Sequence, residues 1–144
     1  MNKNFSINAH PDKVWNFLMD TKNLAECIPG CEEVEEISSN VYNALITMQI
    51  AFMKLRFKVN VKVTEIEAPT FLRFSVEGVP LGLVGQIKLD ASLKLSEVNQ
   101  VTEVYYEMRF AGKLDSLDQP VFRSKAKDIG SEFVKNICTR LEGK

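Results

Sequence analysis

A change of hydrophobic period near residue 112 constrains the fold of this chain more than any other feature. From residue 31 to residue 111 apolar and polar side chains mostly alternate, which is the period of a β-strand with one buried face. Beyond Pro120 apolar residues recur at three- and four-residue spacing, which is typical of an amphipathic helix: Phe122, Ala126, Ile129, Phe133, Ile137 and Leu141. A sheet with one apolar face needs a cover, and the apolar stripe of a long helix provides one.

The alternating region predicts an antiparallel meander of about six strands. Its clearest reversal lies at residues 51–54, because the apolar phase flips between Ile50 and Leu55. Before the meander, Phe5 and Ile7 predict a first strand, and two short helices follow, one beginning at Pro11 and one ending before residues 29–30. We therefore predict one α+β domain over residues 1–144, with about seven antiparallel strands wrapped around a long carboxyl-terminal helix capped by Ser116 or Asp118.

Composition excludes several classes of function. The 18 basic and 19 acidic side chains give a net charge of -1, which excludes a nucleic-acid binder held by a basic surface. No apolar run approaches the roughly 18 residues of a membrane-spanning helix. The first residues lack a signal-peptide core, and the cysteine count of 3 is odd, so we expect a soluble protein of the reducing cytoplasm.

No group of side chains forms a recognisable catalytic or metal-binding motif. His10 is the only histidine, and we interpret it as a solvated loop residue, with a proton shuttle or ligand as the alternative. Cys27 and Cys31 have a spacing that fits no standard zinc site, so we interpret them as free thiols, with a redox pair as the alternative. We predict no catalytic residues, no metal and no cofactor.

The turns of the predicted meander differ between its two ends. At one end the turns near residues 38–40, 67–70 and 97–100 are polar, whereas at the other end residues 51–54 and 78–85 are largely apolar. Exposed apolar clusters usually mark an interface. The predicted concave face is also apolar, with Tyr106 as its main polar group; it comprises Phe57, Val59, Phe74, Leu89, Leu93, Tyr106 and Met108. Together these features predict a pocket for a lipophilic small molecule, and the alternative is a solid core with two oligomerisation loops.

One predicted strand carries a stripe of basic residues: Lys54, Arg56, Lys58 and Lys62. We interpret this stripe as an ordinary exposed strand face. Attraction to anionic lipid or to an acidic partner is the alternative.

Several segments give the chain a family resemblance. They are Pro-Asp-Lys-Val-Trp-Asn-Phe-Leu at 11–18, Leu-Ala-Glu-Cys-Ile-Pro-Gly-Cys at 24–31, Tyr42, Ala-Phe-Met-Lys at 51–54 and Gly-Lys-Leu at 112–114. With this order of elements, the chain resembles the START-like or helix-grip (SRPBCC) superfamily, and within it the CoxG-like family of carbon monoxide dehydrogenase subunits. The resemblance covers nearly the whole chain.

The resemblance implies a helix-grip fold with a deep cavity and non-enzymatic carriage of a ligand. The apolar concave face favours a lipophilic ligand, such as a quinone, an isoprenoid or a fatty-acid-like tail. Carried onto this chain, the cavity would be lined from Phe57, Phe74, Tyr106 and Phe133. Its gates, which would also meet a partner, would be Phe52, Met53, Leu81, Gly82 and Leu83.

The resemblance also implies support of a molybdenum hydroxylase, as in a carbon monoxide dehydrogenase system, with peripheral contact at the inner face of the membrane. Two alternatives stay open. The chain would recruit a redox enzyme directly through its apolar turns, or it would be a cyclase- or hydrolase-like enzyme of the same superfamily. The identity of the ligand, the partner enzyme and the oligomeric state stay undetermined.

Overall fold

A seven-stranded antiparallel sheet and one long helix account for most of the described residues. The computed structural model describes residues 2–50, 52–114 and 119–142. The elements in these residues are β1 (Asn2–Ile7), α1 (Pro11–Leu18), α2 (Thr21–Cys27), β2 (Cys31–Ser38), β3 (Val41–Ile50), β4 (Met53–Glu67), β5 (Phe71–Pro80), β6 (Gly85–Val98), β7 (Val101–Leu114) and α3 (Gln119–Glu142). Within the described chain the seven strands form one sheet in the order β1-β7-β6-β5-β4-β3-β2. The predicted α+β architecture is confirmed, with two short helices after the first strand.

The two short helices begin where the sequence predicts. Pro11 is the first residue of α1, which buries Val14, Trp15 and Leu18. Asp20 caps α2, because its carboxylate accepts the backbone N–H groups of Lys22 at 2.9 Å and Asn23 at 3.3 Å. The predicted cap of α3, Ser116 or Asp118, lies outside the described residues.

The register of the sheet confirms the predicted phase flip and corrects the boundaries of one loop. Ile50 pairs with Met53, so the reversal between β3 and β4 is tight and the apolar side chains on both strands point to the same face. The predicted interruption at residues 78–85 is wrong, because β5 continues to Pro80 and the loop spans only residues 81–84. Gly78 pairs with Val59 on one side and Ile87 on the other. A glycine has no side chain to alternate, so the period-two pattern disappears there although the strand continues.

The buried apolar side chains form two separate clusters. The first joins α1, α2, β1 and the carboxyl-terminal part of α3 to the adjacent strands. The second lies on β3 and β4 and includes Ile50, Leu55, Phe57 and Val59, with partly buried neighbours on β5, β6 and β7. Polar contacts also tie α3 to α2, because Arg140 pairs with Glu26 at 3.0 Å and Asn136 donates to the carbonyl oxygen of Cys27 at 2.9 Å.

Candidate functional site

The predicted pocket residues lie on four neighbouring strands and on α3. Strand register places their side chains on one face of the sheet, since Val59 pairs with Gly78, Leu93 pairs with Tyr106, and Phe74 and Met108 each pair with Ala91. We call this surface the concave face; its predicted members are Phe57, Val59, Phe74, Leu89, Leu93, Tyr106 and Met108. Phe133 belongs to the α3 stripe that covers it, and it packs against the first core cluster.

The burial of these side chains separates a closed region from a more open one. Phe57 and Val59 are buried in the second cluster. In contrast, Phe74, Leu89, Tyr106, Met108 and Phe133 are only half-buried, although they point towards the face that α3 covers. Apolar side chains in a closed core touch neighbours on every side and lose nearly all accessible surface. The retained accessibility therefore indicates open space beside these residues.

Gly130 of α3 faces Met108 on β7. A Cβ atom built on Gly130 would lie 3.9 Å from the terminal methyl group of Met108, which is ordinary van der Waals contact. Packing therefore leaves room for a larger residue at this position.

Tyr106 supplies a hydroxyl group to the concave face. Its ring meets Phe5 edge-to-face, with 5.9 Å between the ring centroids. Burial raises the pKa of the Tyr106 phenol, so the group stays neutral near pH 7 and can donate one hydrogen bond. The hydroxyl of Thr102, four residues earlier on the same strand, donates to the carbonyl oxygen of Ala9 at 2.6 Å.

Exposed apolar side chains cluster where β3 turns into β4, where β5 turns into β6, and where α3 begins. We call this surface the apolar rim; it comprises Phe52 (100% exposed), Val84 (73%), Leu81 (43%) and Val121 (41%). Of the predicted gate residues, Phe52, Leu81 and Gly82 are exposed, whereas Met53 and Leu83 pack against the second cluster. The sequence prediction missed Val121, because helical periodicity does not show that the first turn of α3 lies beside the end of β3.

The opposite end of the sheet also exposes apolar side chains, at Ile37, Ile66 and Val98. Exposure alone therefore does not distinguish the rim. Its charge does: the sequence contains no acidic residue between Glu36 and Glu65 or between Glu77 and Asp90. The strand ends nearest the rim carry Lys54, Arg56, Lys58 and Lys88, all exposed as predicted for the first three.

Among these cations, Arg56 forms an ion pair with Glu32 on the outer face of the sheet. The carboxylate of Glu32 accepts hydrogen bonds from the hydroxyl of Thr47 and, at 2.7 Å, from Arg56. The Thr47 bond and then the Arg56 guanidinium lower the pKa of Glu32, which therefore remains ionised near neutral pH.

A cleft of about 510 Å³ opens between the end of β3 and the first three turns of α3. Its lining mixes apolar and polar side chains, namely Gln49, Ile50, Pro120, Val121, Ser124, Lys125 and Asp128. A second concavity of about 760 Å³ lies on the outer face, bordered by charged residues that include Glu33, Lys58 and Glu77. The first cleft borders α3 and is the better candidate for access to the concave face.

The three cysteines do not form disulfides. Cys27 is buried, and Cys31 and Cys138 are half-buried. Burial raises the pKa of each thiol, which lowers the fraction of reactive thiolate at neutral pH. Within residues 2–50, 52–114 and 119–142, no group of three or more histidine, cysteine or acidic side chains is placed to hold a metal ion.

We expect the thiols of the folded protein to react slowly with a disulfide reagent at pH 8. Their raised pKa values leave less thiolate than in the unfolded chain, so the rates should increase as the pH rises above the ordinary thiol pKa. Stopped-flow absorbance with and without urea measures the difference. A folded-state rate equal to the urea-unfolded rate for Cys31 would instead favour a redox pair.

His10 lies away from the concave face and caps the amino terminus of α1. Its side chain is exposed, and Nδ1 accepts the backbone N–H of Asp12 at 3.2 Å. Nε2 lies 3.9 Å from a carboxylate oxygen of Glu97. The residue is solvated, as predicted, and it also caps a helix, which the sequence interpretation did not include.

Comparison with known proteins identifies relatives of the whole chain. A family model described as the carbon monoxide dehydrogenase subunit CoxG matches residues 4–142. A conserved protein from Geobacillus kaustophilus is similar in structure, with a TM-score of 0.85, 24% identity and coverage of 99% of this chain and 94% of that one. No curated protein sequence matches the chain.

Two further solved structures share the fold at low identity. Ara h 8.0201 has a TM-score of 0.71 and 14% identity, with coverage of 100% of this chain and 97% of its own. The Zhui aromatase/cyclase from Streptomyces sp. R1128 has a TM-score of 0.69 and 10% identity, with coverage of 99% and 92%. At these identities the similarity establishes the helix-grip fold. Among the described residues, no helix has the length and apolar character needed to span a bilayer.

Proposed function

Since the chain belongs to the CoxG family of carbon monoxide dehydrogenase subunits, we propose that it binds a lipophilic small molecule without converting it chemically. The binding space lies between the concave face and α3. The molecule has an apolar body, as a quinone, an isoprenoid or a fatty-acid-like tail has. Because the family is named for a carbon monoxide dehydrogenase subunit, we propose that the bound molecule serves that enzyme or a similar molybdenum hydroxylase.

The observation that carries this proposal is the partial exposure of inward-facing apolar side chains. Phe74, Leu89, Met108 and Phe133 keep accessible surface on the face that the helix covers. Leaving such groups in contact with water costs roughly 25 cal/mol for each Å² of apolar surface, and an apolar ligand removes that cost.

The polar groups of the concave face support binding over catalysis. Among the predicted lining residues, Tyr106 is the one with a titratable side chain. A cyclase or hydrolase needs several acid, base or oxyanion-stabilising groups that converge on the substrate. One phenol hydroxyl can orient a carbonyl or hydroxyl group of a ligand, which is the role we assign to Tyr106.

The proposal is tested by native mass spectrometry of gently purified protein, followed by organic extraction. We expect a bound hydrophobic molecule, or saturable binding when quinones and fatty acids of graded length are titrated into stripped protein. Protein that carries no hydrophobic molecule and binds none of those added would contradict the proposal.

A second candidate function is direct recruitment of the partner enzyme through the apolar rim. The observation that favours it is Phe52, whose side chain is 100% exposed at the tip of a tight turn. Two exposed lysines, Lys54 and Lys58, flank this turn, whereas Arg56 is paired with Glu32 and Lys88 lies opposite Glu77. The two flanking lysines suit contact with an acidic protein surface or with the inner face of the cytoplasmic membrane, the location that we propose.

Changing Phe52 and Leu81 together to serine should weaken association with the partner enzyme by at least about tenfold, because a fully desolvated aromatic anchor typically contributes more than 1.4 kcal/mol. Pull-down with a purified molybdenum hydroxylase measures the effect. Ile66→Ser is the matched control, since Ile66 is also partly exposed but lies at the opposite end of the sheet. If the wild type, the double variant and Ile66→Ser all associate equally with the enzyme, recruitment through the apolar rim is excluded.

A further inference from the structure

Strand β2 forms one edge of the sheet. It stands last in the strand order, and its strand partner among the described residues is β3. Pairing with β3 is regular from Glu33 to Glu36, between register shifts at either end of the strand. The side chains from Glu35 to Ser38 are exposed. The backbone N–H and C=O groups on the outer side of an edge strand can pair with a further strand, so β2 offers a template for strand addition.

The side chains of β2 are predominantly acidic. Glu32 forms an ion pair with Arg56 of β4 at 2.7 Å. The other acidic residues of the strand are Glu33, Glu35 and Glu36. Within the described chain none of these three belongs to an ion pair, and the neighbouring strand β3 contains no charged residue. The edge therefore carries negative charge that a basic strand would complement.

The concavity on the outer face of the sheet lies beside this edge. Its volume is about 760 Å³, and its border includes Glu33 and Glu35. Leu45, which is half-buried, lies opposite Glu33 on β3 and gives the border an apolar surface. Lys58 and Glu77, on the next two strands, carry opposite charges and leave the border acidic. Lysine and arginine have aliphatic stems that cover apolar surface and charged ends that reach a carboxylate, so the concavity fits the side chains of a basic strand.

The same charge opposes pairing with a second copy of this chain through β2. Two β2 strands side by side would bring the glutamates of both copies together, and like charges on paired strands are destabilising. The other edge strand, β1, carries one basic residue, Lys3, and no acidic residue. A β1 strand from a second copy would therefore offer a single cation to the acidic edge. A segment with several basic residues fits the edge better than either edge strand of this chain.

We propose that β2 binds an extended basic segment of another protein, which adds to the sheet as a further strand. Backbone hydrogen bonds along β2 hold the segment, and lysine or arginine at alternate positions meets Glu33 and Glu35. Alternate positions are needed because successive side chains of a strand point to opposite faces, and these two glutamates share one face. The surface lies on the edge and outer face of the sheet, whereas the proposed ligand lies on the concave face. The proposal is therefore independent of the proposed function.

Fluorescence anisotropy with a labelled peptide and the full-length protein tests the proposal. The peptide alternates lysine and valine, has blocked ends and matches the 8 residues of β2. We expect saturable binding. A peptide in which proline replaces each valine keeps the charge but cannot pair as a strand, and it should bind at least about tenfold more weakly.

Glu35→Lys should weaken binding of the lysine–valine peptide by about fivefold, because a favourable charge pair between strands becomes a repulsive one. Glu107→Lys is the matched control. It makes the same change of charge at an exposed position on β7, away from β2, and should change the affinity by less than about twofold, since salt screens distant charges.

Hydrogen–deuterium exchange of the wild-type protein measures where the peptide binds. Saturating peptide should slow exchange of the β2 amides that point away from β3 and leave the amides of β1 unchanged. Absence of peptide binding would overturn the proposal, as would binding without protection of β2 or equal binding of the proline peptide. Equal weakening by Glu35→Lys and Glu107→Lys would also overturn it. A dimer in analytical ultracentrifugation that the peptide dissociates would overturn it too, because a second copy would then occupy the edge.

Discussion

Gly30→Ala is expected to lower the free energy of unfolding by about 2–5 kcal/mol, a large part of the total stability of the protein. Gly30 has a φ of 81°, and a Cβ atom there would lie 1.9 Å from the carbonyl oxygen of Thr47 on β3. The Gly30 carbonyl also accepts the Thr47 N–H at 2.8 Å, so the two backbones cannot separate without losing this bond. Left-handed strain of about 1–2 kcal/mol and overpacking of about 1–3 kcal/mol or more then add, against a total stability of about 5–15 kcal/mol.

Gly82→Ala is the matched control for this change. Gly82 has a similar φ of 87°, but an added Cβ atom would meet no heavy atom within 4 Å. We expect only the backbone strain, about 1–2 kcal/mol. Urea unfolding followed by circular dichroism measures both variants. If they lose equal stability, the close approach of Gly30 to β3 contributes nothing and the structural argument is wrong.

Leu89→Trp is expected to abolish binding of a large lipophilic ligand while leaving the fold intact. Leu89 is half-buried on β6 between Val76 and Phe110, in the middle of the concave face. An indole there would occupy the space that we propose for the ligand. We expect affinity to fall by at least about tenfold, or 1.4 kcal/mol, in the titration described above.

The stability of the Leu89→Trp protein also distinguishes an open cavity from a solid core. In a filled core the larger side chain would cost about 1–3 kcal/mol, because overpacking forces neighbouring side chains from their rotamers. In an open interior, stability should stay within about 0.5 kcal/mol of the wild type or increase. Lys88→Trp is the control, since Lys88 is adjacent but exposed on the outer face, and it should change neither binding nor stability. Loss of stability confined to Leu89→Trp, with ligand binding absent from the wild type, would establish the solid-core alternative.

The sequence motif that distinguished the family has a structural explanation that the sequence did not contain. Residues 27–31, Cys-Ile-Pro-Gly-Cys, connect α2 to β2. The reason for glycine at position 30 is the backbone of Thr47, which is separated from it by a full strand and turn. Likewise, a Cβ atom on Gly112 would lie 2.4 Å from the carbonyl oxygen of Gln86. Close approaches of this kind depend on strand register, which single-sequence patterns do not specify.

The candidate site was predicted in part. Alternation identified the inward side chains of β4 to β7, because the direction of each side chain follows from the period of a strand. It did not separate the buried pair, Phe57 and Val59, from half-buried Leu89 and Met108, because burial depends on where α3 lies above the sheet. The cleft between β3 and α3 was not predicted either, since its two walls are about 70 residues apart in the chain.

The sequence by itself determined the class of fold, the inward faces of β4 to β7, the apolar stripe of α3 and the family, because these follow from local periodicity and local motifs. Tertiary structure alone decided the position of Gly130 opposite Met108 and the placement of Val121 beside the end of β3. The physical reason is that periodicity reports only which side of an element is apolar. Whether that side is filled, left open or covered is set by the distance and angle between elements, and those emerge only when the whole chain packs.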